Sequence, residues 1–379
     1  MKRILYILKH DPWGIGGGCY VCRMYLTAFR KIFPKHAFDV CICQECLSHQ
    51  PEAWKKVCNF IPVPPRGELS RMTSIFTGVM HRHQQTALRL IRENEYEYCI
   101  FDHSNLAGTL CTFLKSNTKS IVIHHNHEPN YFKDNTTSWL YRKLFMHYVK
   151  STERDAYLKC TYNLFLTEED ESLFRRVYGK PSGKSTHIGI FDLNDNISRR
   201  LVQISTSENI VVITGSLNNV QNVDGILYFI KELYPLIAGK CKIIIAGKDP
   251  TQAVCNATKN HADIKLIPNP KDMNDILSRG NIFICPTRLG GGIKVRISDG
   301  LRSGLPVIAQ SVSARGYGDF IAKGYFYSYE TPVGFLEQFN RLISDKNNKK
   351  FTPEEIAEFF QLNNSFSAGI EKLKQLFLL

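Results

Sequence analysis

Residues 285–310 read CPTRLGGGIKVRISDGLRSGLPVIAQ and decide the fold class. An apolar strand leads into a loop with Arg288 and the glycine triplet Gly290–Gly292, and a helix-like segment and a second apolar strand follow. A glycine loop between a buried strand and a helix N-terminus exposes backbone N–H groups and lets a phosphate approach closely. Arg288 and Lys294 would add positive charge. This glycine block, residues 285–310, therefore predicts parallel α/β structure and a phosphorylated ligand.

Four further stretches extend the pattern over most of the chain. They are Ile123–Glu128 (IHHNHE), Leu166–Asp170 (LTEED), Thr214–Gly225 (TGSLNNVQNVDG) and Ile244–Gly247 (IIAG). Together with the glycine block they resemble the retaining glycosyltransferases of family 4, which have the GT-B fold. The resemblance is specific over residues 209–310 and looser before them.

The resemblance implies a two-domain architecture. We expect an α/β GT-B fold, with two Rossmann-like, doubly wound parallel-sheet domains that face a central cleft. The first domain would span residues 1–193 and bind the acceptor, and the second would span residues 194–364 and bind the nucleotide-sugar donor. The C-terminal helix, residues 365–379, would cross back to pack on the first domain.

The same resemblance implies an activity. We expect transfer of a sugar from a nucleotide-diphosphate-sugar to a glycan or lipid-linked acceptor, with retention of anomeric configuration, in bacterial surface polysaccharide or glycoconjugate assembly. No cofactor and no metal ion are expected. Two alternatives remain open: a GT-B-type sugar-nucleotide epimerase and a non-catalytic nucleotide-sugar-binding protein. The sequence names neither the nucleotide nor the sugar.

Composition agrees with a two-domain globular protein. The chain has 379 residues, of which 43% are hydrophobic, and this length favours two domains over one. No apolar run reaches the roughly 20 residues that a membrane-spanning helix needs. The apolar run near the N-terminus is short and no small-residue cleavage site follows, so we interpret it as a first strand rather than a signal peptide. We therefore expect a cytoplasmic protein.

Short apolar runs alternate with helical patterns in both halves of the chain. Such alternation is typical of parallel sheets covered on both faces by helices. A polar stretch, residues 194–209, separates the halves, and Tyr234-Pro235 is expected to end a helix. The predicted strands are 3–9, 38–43, 59–63, 97–102, 120–125, 163–167, 210–214, 242–246, 263–267, 281–285 and 305–309.

Positive charge is concentrated in the first half. The formal net charge is +13, and residues 1–190 carry 26 Lys and Arg against 17 Asp and Glu. Such a surface suits nucleic acid, an anionic membrane or a diphosphate-linked acceptor. No nucleic-acid-binding motif is present, so we expect no nucleic-acid partner. We favour contact with the inner face of a membrane, with an ordinary basic protein surface as the alternative.

The resemblance also assigns donor-binding positions. Family members usually supply an Arg and a Lys near the start of the donor domain, where this chain has the neutral Ser216 and Asn222. We expect Arg288 and Lys294 to replace them as catalytic cations that stabilise the departing diphosphate. The expected donor-binding residues are Gly17, Gly18, Gly215, Ser216, Asn222, Gly290, Gly291, Gly292, Ile293 and Asp299.

The family's Glu-x7-Glu pair is altered in this chain. Asp299 stands at the second Glu position, whose carboxylate grips the nucleotide ribose. Gly291 stands at the first, so that carboxylate is absent. Backbone N–H groups of Gly291 and Gly292 would take over its contact with the donor sugar.

A second glycine-rich loop, His10–Gly18, follows the first predicted strand. It has the sequence HDPWGIGGG, which differs from the G-x-G-x-x-G spacing of dinucleotide-binding folds. After the loop, Asp39 is the only residue placed to contact the ribose of a bound dinucleotide. In glycosyltransferases of this fold the same loop approaches the donor phosphates and the acceptor, and the resemblance implies this role here, with dinucleotide binding and a purely structural loop as alternatives.

Histidines follow the strand predicted at 120–125, where catalytic groups collect in parallel sheets. Strand alternation places His124 and His125 on opposite faces. By the resemblance, His125 is the catalytic histidine that contacts the donor sugar. Glu128 would orient His125 or bind the acceptor, and His103 would also bind the acceptor. Asp102-His103-Ser104 lacks the second carboxylate of a metal-binding Asp-x-Asp element, which agrees with a metal-free site.

Twelve cysteines raise the question of metal or disulfide sites. Cys19-x-x-Cys22 and Cys41-x-Cys43-x-x-Cys46 do not repeat the paired spacing of a zinc site. Cys41, Cys43, Cys99 and Cys285 lie in apolar runs, where reduced thiols serve as small hydrophobic side chains. We expect no metal site and no disulfide.

Overall fold

A computed structural model describes residues 2–65, 82–136, 138–193, 195 and 208–377. The predicted boundary stretch, residues 194–209, lies largely outside these residues. The chain forms two compact units. Met1–Leu193 and Gly369–Leu379 make the first unit, and Asn194–Ala368 makes the second.

The first unit contains a seven-stranded sheet. Every neighbouring pair is parallel, and the strand order is β3-β2-β1-β4-β5-β6-β7. The order reverses direction between β1 and β4, which is the position where parallel sheets bind ligands at the carboxyl ends of their strands. The strands are β1 (Arg3–Ile7), β2 (Ala37–Cys43), β3 (Asn59–Val63), β4 (Tyr98–Phe101), β5 (Lys119–His124), β6 (Tyr162–Phe165) and β7 (Lys184–His187).

Helices connect these strands. The helices of the first unit are α1 (Gly17–Ile32), α2 (Glu52–Lys55), α3 (Arg82–Glu93), α4 (Ser104–Ala107), α5 (Glu128–Asn135), α6 (Trp139–Lys159) and α7 (Glu168–Tyr178). Two 3-10 segments, Gln44–His49 and Gly108–Phe113, complete the described part of the unit. The side chains of β4 and β6 are buried throughout, as expected for central parallel strands covered on both faces.

The second unit repeats this architecture with six parallel strands in the order β10-β9-β8-β11-β12-β13. The order of its strands along the sheet reverses between β8 and β11. The strands are β8 (Ile210–Ser216), β9 (Lys242–Lys248), β10 (Ile264–Pro268), β11 (Ile282–Cys285), β12 (Val307–Gln310) and β13 (Phe326–Tyr329). The helices are α8 (Val220–Tyr228), α9 (Tyr234–Ile237), α10 (Gln252–Thr258), α11 (Met273–Leu277), α12 (Val295–Arg302), α13 (Gly318–Ala322), α14 (Pro332–Asn347) and α15 (Pro353–Asn364).

The two parallel sheets confirm the predicted fold class, with one local correction. Tyr234-Pro235 does not end a helix. Instead α8 continues through a π-helical turn, Phe229–Leu233, into α9, where Pro235 lies in the first turn. The π turn directly before Pro235 changes the hydrogen-bond spacing at the point where proline cannot donate.

The last helix, α16 (Phe366–Phe377), follows α15 after a break at Ser365. Gly369 packs closely enough against Phe191 that a Cβ at this position would lie 2.3 Å from the ring. The ring of Phe377 contacts four aromatic rings of the first unit: Phe29, Phe33, Tyr98 and Tyr162. The end of the chain is therefore part of the first unit's aromatic core.

Candidate functional site

The predicted donor residues of the second unit gather where its strand order reverses. Gly215 and Ser216 end β8, and Thr287 lies two residues after the end of β11, the neighbouring strand. Asn222 lies on α8, and the amide nitrogen of its side chain donates to the Ser216 carbonyl oxygen at 3.0 Å. Two strand ends and a helix thus meet at the point where a doubly wound sheet offers a ligand site.

The glycine triplet needs glycine for conformational reasons. Gly290 has φ 83° and Gly292 has φ 67°, a left-handed region that side chains make unfavourable. A Cβ on Gly290 would also lie 2.4 Å from the side-chain nitrogen of Gln221. The loop therefore passes tightly against α8 and turns directly into α12.

Arg296 is the cation at the centre of this cluster, and sequence reasoning missed it. Its guanidinium donates to the Asn222 side-chain oxygen at 2.6 Å and to the Thr287 hydroxyl. A Cβ on Gly215 would lie 3.3 Å from Arg296 Nη1. Both hydrogen-bond partners are neutral, so within the described part of the chain no carboxylate neutralises Arg296. A half-buried, unneutralised guanidinium beside two strand ends is suited to bind an anion.

The positive charge of Arg296 lowers the pKa of the nearby Cys285 thiol. Burial of Cys285 raises the pKa of this thiol, but the positive charge of Arg296 and hydrogen bonds from Ser313, Arg296 and the Thr287 backbone lower it further than burial raises it. The pKa of Cys285 is consequently below its ordinary value. The strand end therefore favours negative charge even in a buried position.

Arg288, predicted as a donor-binding cation, is engaged elsewhere. Its Nε and Nη2 atoms donate to the Asp224 carboxylate at 2.8 and 3.0 Å, a bidentate pair. The guanidinium also lies 4.5 Å from the centre of the Tyr228 ring. Both partners are on α8, so the structure places Arg288 against this helix, with its charge already paired.

Lys294, the other predicted cation, is buried at the N-cap of α12. Its Nζ atom donates to the Gly291 carbonyl oxygen at 3.0 Å, so the ammonium group spans the glycine triplet. Its own carbonyl oxygen accepts from the Tyr317 hydroxyl at 2.9 Å. The Lys294 ammonium group is therefore held at the N-terminus of α12. Its charge and the helix terminus would both attract an anion.

The remaining donor candidates of the second unit flank this cluster. Ile293 packs against the hydrophobic core, so its side chain anchors the glycine loop. Asp299 lies on α12 and accepts from Arg302 Nη2 at 2.7 Å. Its carboxylate is therefore held one turn along the helix that Lys294 caps.

The first unit has its own polar cluster at the ends of β1, β4 and β5. His125 Nε2 lies 3.1 Å from Asp102 Oδ1, and the His125 ring stacks on the His103 ring with centroids 3.8 Å apart. The ring of His10 meets His103 edge to face at 5.1 Å. We call His10, His103 and His125 the histidine stack. Asp102 is fully buried and also accepts from the Cys22 thiol.

The carboxylate that contacts His125 is Asp102 and not Glu128. Glu128 is buried at the start of α5, with its nearest ammonium group, Lys9 Nζ, at 3.9 Å. The expectation that Glu128 orients His125 is therefore wrong, while acceptor binding by Glu128 stays a prediction. The signal for Asp102 was present in the sequence as a carboxylate directly after a buried strand, at the edge where β5 also ends.

Glu153, on α6, holds this region together. It is fully buried and accepts from the Glu128 backbone N–H at 2.7 Å, the Tyr178 hydroxyl at 2.9 Å and the Ser104 hydroxyl at 3.3 Å. Burial and the nearby Glu128 raise the pKa of Glu153 well above its ordinary value. The Glu153 carboxyl group therefore connects the starts of α4 and α5 with the end of α7 through three hydrogen bonds.

His124 faces away from the histidine stack, as strand alternation predicts. Its Nε2 lies 2.9 Å from the Asn163 side-chain oxygen, and its ring stacks on Phe165 at 4.5 Å. Burial lowers the pKa of His124 to about 3. A neutral, fully packed imidazole of this kind is a core residue.

The glycine loop after β1 ends beside the histidine stack. Gly17 begins α1, and a Cβ on Gly18 would lie 3.0 Å from the His10 ring. Burial and the charge of Lys9 lower the pKa of His10 to about 4, so this imidazole is neutral near pH 7. The first turn of α1 has no acidic residue and no side-chain cap, so its N-terminus favours an anion.

Within the residues that the structure describes, two groups each bring three potential metal-ligand atoms within 4.8 Å of one another: Asp11, Cys46 and His49, and Asp102, His103 and His125. In the second group the two imidazole planes are 18° from parallel at 3.8 Å. Lone pairs in nearly parallel planes do not converge on one ion at the usual distance of about 2.1 Å. The stack is therefore better arranged for hydrogen bonding to a ligand than for coordination.

Comparison with known proteins agrees with this geometry. Residues 208–345 match the family described as "Glycosyl transferases group 1". An "Uncharacterized 44.6 kDa protein in cps region" of Klebsiella pneumoniae is 22% identical over 250 residues, which cover 60% of this chain and 58% of that protein. The chain thus spans somewhat over half the length of this relative.

Solved structures share the whole fold. Sucrose-phosphate synthase of Thermosynechococcus elongatus has a TM-score of 0.71 and 14% identity, and the match covers 100% of this chain and 98% of that protein. Anabaena Alr3699/HepE in complex with UDP has a TM-score of 0.69 and 11% identity, with 100% of both chains covered. The chain therefore has two Rossmann-like parallel-sheet units, the fold of these GT-B glycosyltransferases, and residues 208–345 of its second unit are similar to the glycosyl transferases group 1 family.

Proposed function

We propose that this protein is a retaining, metal-independent glycosyltransferase that uses a nucleotide-diphosphate-sugar donor. The observation that carries the proposal is Arg296, whose guanidinium is held by the neutral Asn222 and Thr287 at the strand ends of a glycosyl transferases group 1 domain. Holding this cation in place without a carboxylate leaves its charge for a ligand anion.

The donor diphosphate would bind at the glycine triplet. Arg296, Lys294 and the N-terminus of α12 would stabilise the negative charge that develops as the glycosidic bond breaks. Arg288 would join them only after leaving Asp224. Asp299 would accept hydrogen bonds from the ribose, and the backbone N–H groups of the triplet would contact the sugar. Contacts that strengthen with developing charge accelerate the reaction rather than merely tightening binding.

In the first unit, His125 would contact the donor sugar, and Asp102 would hold its imidazole in orientation. Burial with a carboxylate partner fixes which ring nitrogen faces Asp102 and which faces a ligand. His103 and Glu128 would bind the acceptor, and Gly17 and Gly18 would approach the donor phosphates. No step in this scheme requires a metal ion.

The acceptor would be a glycan or a lipid-linked glycan in surface polysaccharide assembly, with the protein acting at the membrane surface. Two comparisons support this choice. The Klebsiella relative is encoded in a cps region, and the Anabaena neighbour was solved with UDP. The excess of Lys and Arg in residues 1–190 agrees with an anionic, diphosphate-linked acceptor.

The decisive experiment incubates the purified protein with UDP-, GDP- and TDP-sugars, with and without lipid-diphosphate-linked glycan acceptors. We expect nucleoside diphosphate release that depends on the acceptor, and a product with the donor's anomeric configuration by NMR. Interconversion of the free nucleotide-sugar without acceptor would identify an epimerase instead. Nucleotide binding without turnover over the acceptor panel would identify a binding protein. Loss of activity with a chelator would overturn metal independence.

A further inference from the structure

The first half of α6 exposes large apolar side chains. Trp139 is 64% exposed, Leu140 59% and Leu144 65%. The second half of the same helix is packed, with Glu153 and Tyr157 fully buried. Residues 139–150 contribute no buried side chain to the first unit. Several large exposed apolar side chains on one helix half mark an interaction surface rather than ordinary scatter.

Cations are interleaved with these apolar residues. Leu140 and Leu144 are four residues apart and share one stripe of the helix, and Trp139, Lys143 and Lys150 form the adjacent stripe. Lys143 Nζ lies 5.2 Å from the centre of the Trp139 ring. An apolar stripe beside a cationic stripe is the pattern of helices that lie in a membrane interface.

The segment lacks negative charge altogether. No Asp or Glu occurs from Asn135 to Thr152, whereas Arg142, Lys143 and Lys150 fall within it. Exposed helices of soluble proteins usually mix both signs of charge. A purely cationic and apolar face is complementary to anionic headgroups above acyl chains.

The surface is preformed. Ser138 caps α6 by accepting from the Tyr141 backbone N–H at 3.3 Å. The Tyr141 ring contacts Phe132 on α5 at 5.9 Å and Phe145 at 4.3 Å. Contacts between α5 and α6 therefore fix the orientation of the exposed face before any partner binds, which reduces the entropy lost on docking.

We propose that this face docks on an anionic lipid bilayer, with α6 lying in the plane of the interface. The proposal rests on the proposed function and deepens it, because it names the surface at which a lipid-linked acceptor would be met. None of the helices in the described residues is both long and apolar enough to cross a bilayer. We call the docking residues the α6 surface: Trp139, Leu140, Lys143, Leu144, His147 and Lys150.

The bilayer suits this face better than nucleic acid does. Leu140 and Leu144 would gain by leaving water for acyl chains, whereas a phosphate backbone offers them no apolar contact. Trp139 is the side chain most suited to the headgroup level. α5 connects the α6 surface directly to Glu128, a proposed acceptor-binding residue, so docking would bring this end of the first unit close to lipid-linked substrates.

The test is co-sedimentation of the full-length protein with vesicles of phosphatidylcholine alone or mixed with phosphatidylglycerol. We expect binding to the mixed vesicles that weakens as NaCl is raised from about 0.1 M to about 1 M. The Lys143→Ala/Lys150→Ala variant should lose about 30-fold in vesicle partitioning. The Trp139→Ala/Leu144→Ala variant should lose at least about tenfold.

A matched control is Lys231→Ala/Leu362→Ala, which removes a highly exposed lysine and leucine outside α6. It should bind vesicles like the unmodified protein. Equal binding of all variants would overturn the proposal, as would vesicle binding that ignores lipid charge. A Trp139-dependent dimer by light scattering, without vesicle binding, would assign the face to a second copy instead.

Nucleoside diphosphate binding, measured by calorimetry in the same variants, separates the two proposals. We expect it to be unchanged in every variant, because the α6 surface carries none of the proposed donor residues. A protein that binds vesicles but no nucleotide would overturn the proposed function and leave the α6 surface standing. Retained nucleotide binding without any vesicle binding would overturn the α6 surface and leave the proposed function standing.

Discussion

His125 Nε2 lies 3.1 Å from the buried Asp102 carboxylate, and the two residues come from the ends of β5 and β4, which are adjacent strands. Neither residue sits near the other in sequence, so the parallel sheet creates this pair. A carboxylate that engages one imidazole nitrogen leaves the other nitrogen for a ligand. This contact supports the proposed role of His125, and the neighbouring His124 provides a control for testing it.

The first prediction is that His125→Ala lowers turnover by about 100-fold or more, since a hydrogen bond that strengthens in the transition state is lost. Nucleoside diphosphate binding, assigned to the second unit, should survive. Initial rates of acceptor-dependent nucleotide release and calorimetric titration with the nucleotide measure the two effects.

His124→Ala is the matched control. His124 packs on Phe165 and bonds to Asn163, so its removal should lower the melting temperature while the folded fraction keeps its turnover. Full turnover in His125→Ala, or an equal loss in both variants, would remove His125 from the catalytic site.

The second prediction separates the two arginines. Arg296→Ala should raise the dissociation constant of the nucleoside diphosphate at least about tenfold, which is about 1.4 kcal/mol. Arg288→Ala should have a smaller effect, because Asp224 already pairs with that guanidinium. Calorimetry on both variants decides, and a larger effect for Arg288 would show that it leaves Asp224 to bind the donor.

The third prediction concerns the glycine triplet. Gly290→Ala should destabilise the second unit by about 1–2 kcal/mol, because φ 83° is unfavourable for alanine, and it should weaken nucleotide binding. Gly318→Ala is the control, since its Cβ would meet open space. Denaturant unfolding compares the two, and equal unfolding midpoints would contradict the strain assigned to Gly290.

The fourth prediction is acid sensitivity. Burial lowers the pKa of His124 to about 3 and of His83 and His10 to about 4, against an ordinary value of 6.5. Below pH 6.5 the unfolded chain binds protons that the folded protein excludes, so these groups make the unfolding free energy fall from about pH 6.5 towards pH 4. Glu153, with its raised pKa, acts in the opposite direction as pH rises above 4.5.

His124→Phe isolates the histidine contribution. Within the window from about pH 4 to 6, the slope of unfolding free energy against pH should fall by about 1.4 kcal/mol per pH unit, the effect of one proton. Chemical denaturation at several pH values measures this slope. An unaltered slope in His124→Phe would refute a neutral His124 in the folded state.

Eleven strands were predictable from the sequence because buried parallel strands are continuous apolar runs. Two strands were missed. β7 reads KSTH, and its side chains are exposed or half-buried at the edge of the first sheet, so it lacks the apolar signal. β13 reads FYSY, in which Ser and Tyr side chains carry polar groups, so its apolar signal is weak.

The loop at the glycine triplet could be predicted because three consecutive glycines indicate backbone conformations that other residues avoid. The partners of the cations could not. Arg296 meets Asn222 across 74 positions, and Arg288 meets Asp224 across 64. Such pairings depend on strand order and on side-chain rotamers, and a short sequence motif determines neither. The same holds for Asp102, whose contact with His125 exists only because β4 and β5 are adjacent.

The donor residues assigned to the second unit all fall between Gly215 and Asp299, and so do the crossovers that make β8 and β11 neighbours. Their supporting helices, α8 and the first part of α12, lie within the same stretch. One continuous stretch of sequence therefore contains the second unit's proposed donor residues and most of the scaffold that positions them. Under the proposed function, replacing this one stretch with that of a homologue would exchange the second unit's share of the donor site as a single cassette rather than by scattered point mutations.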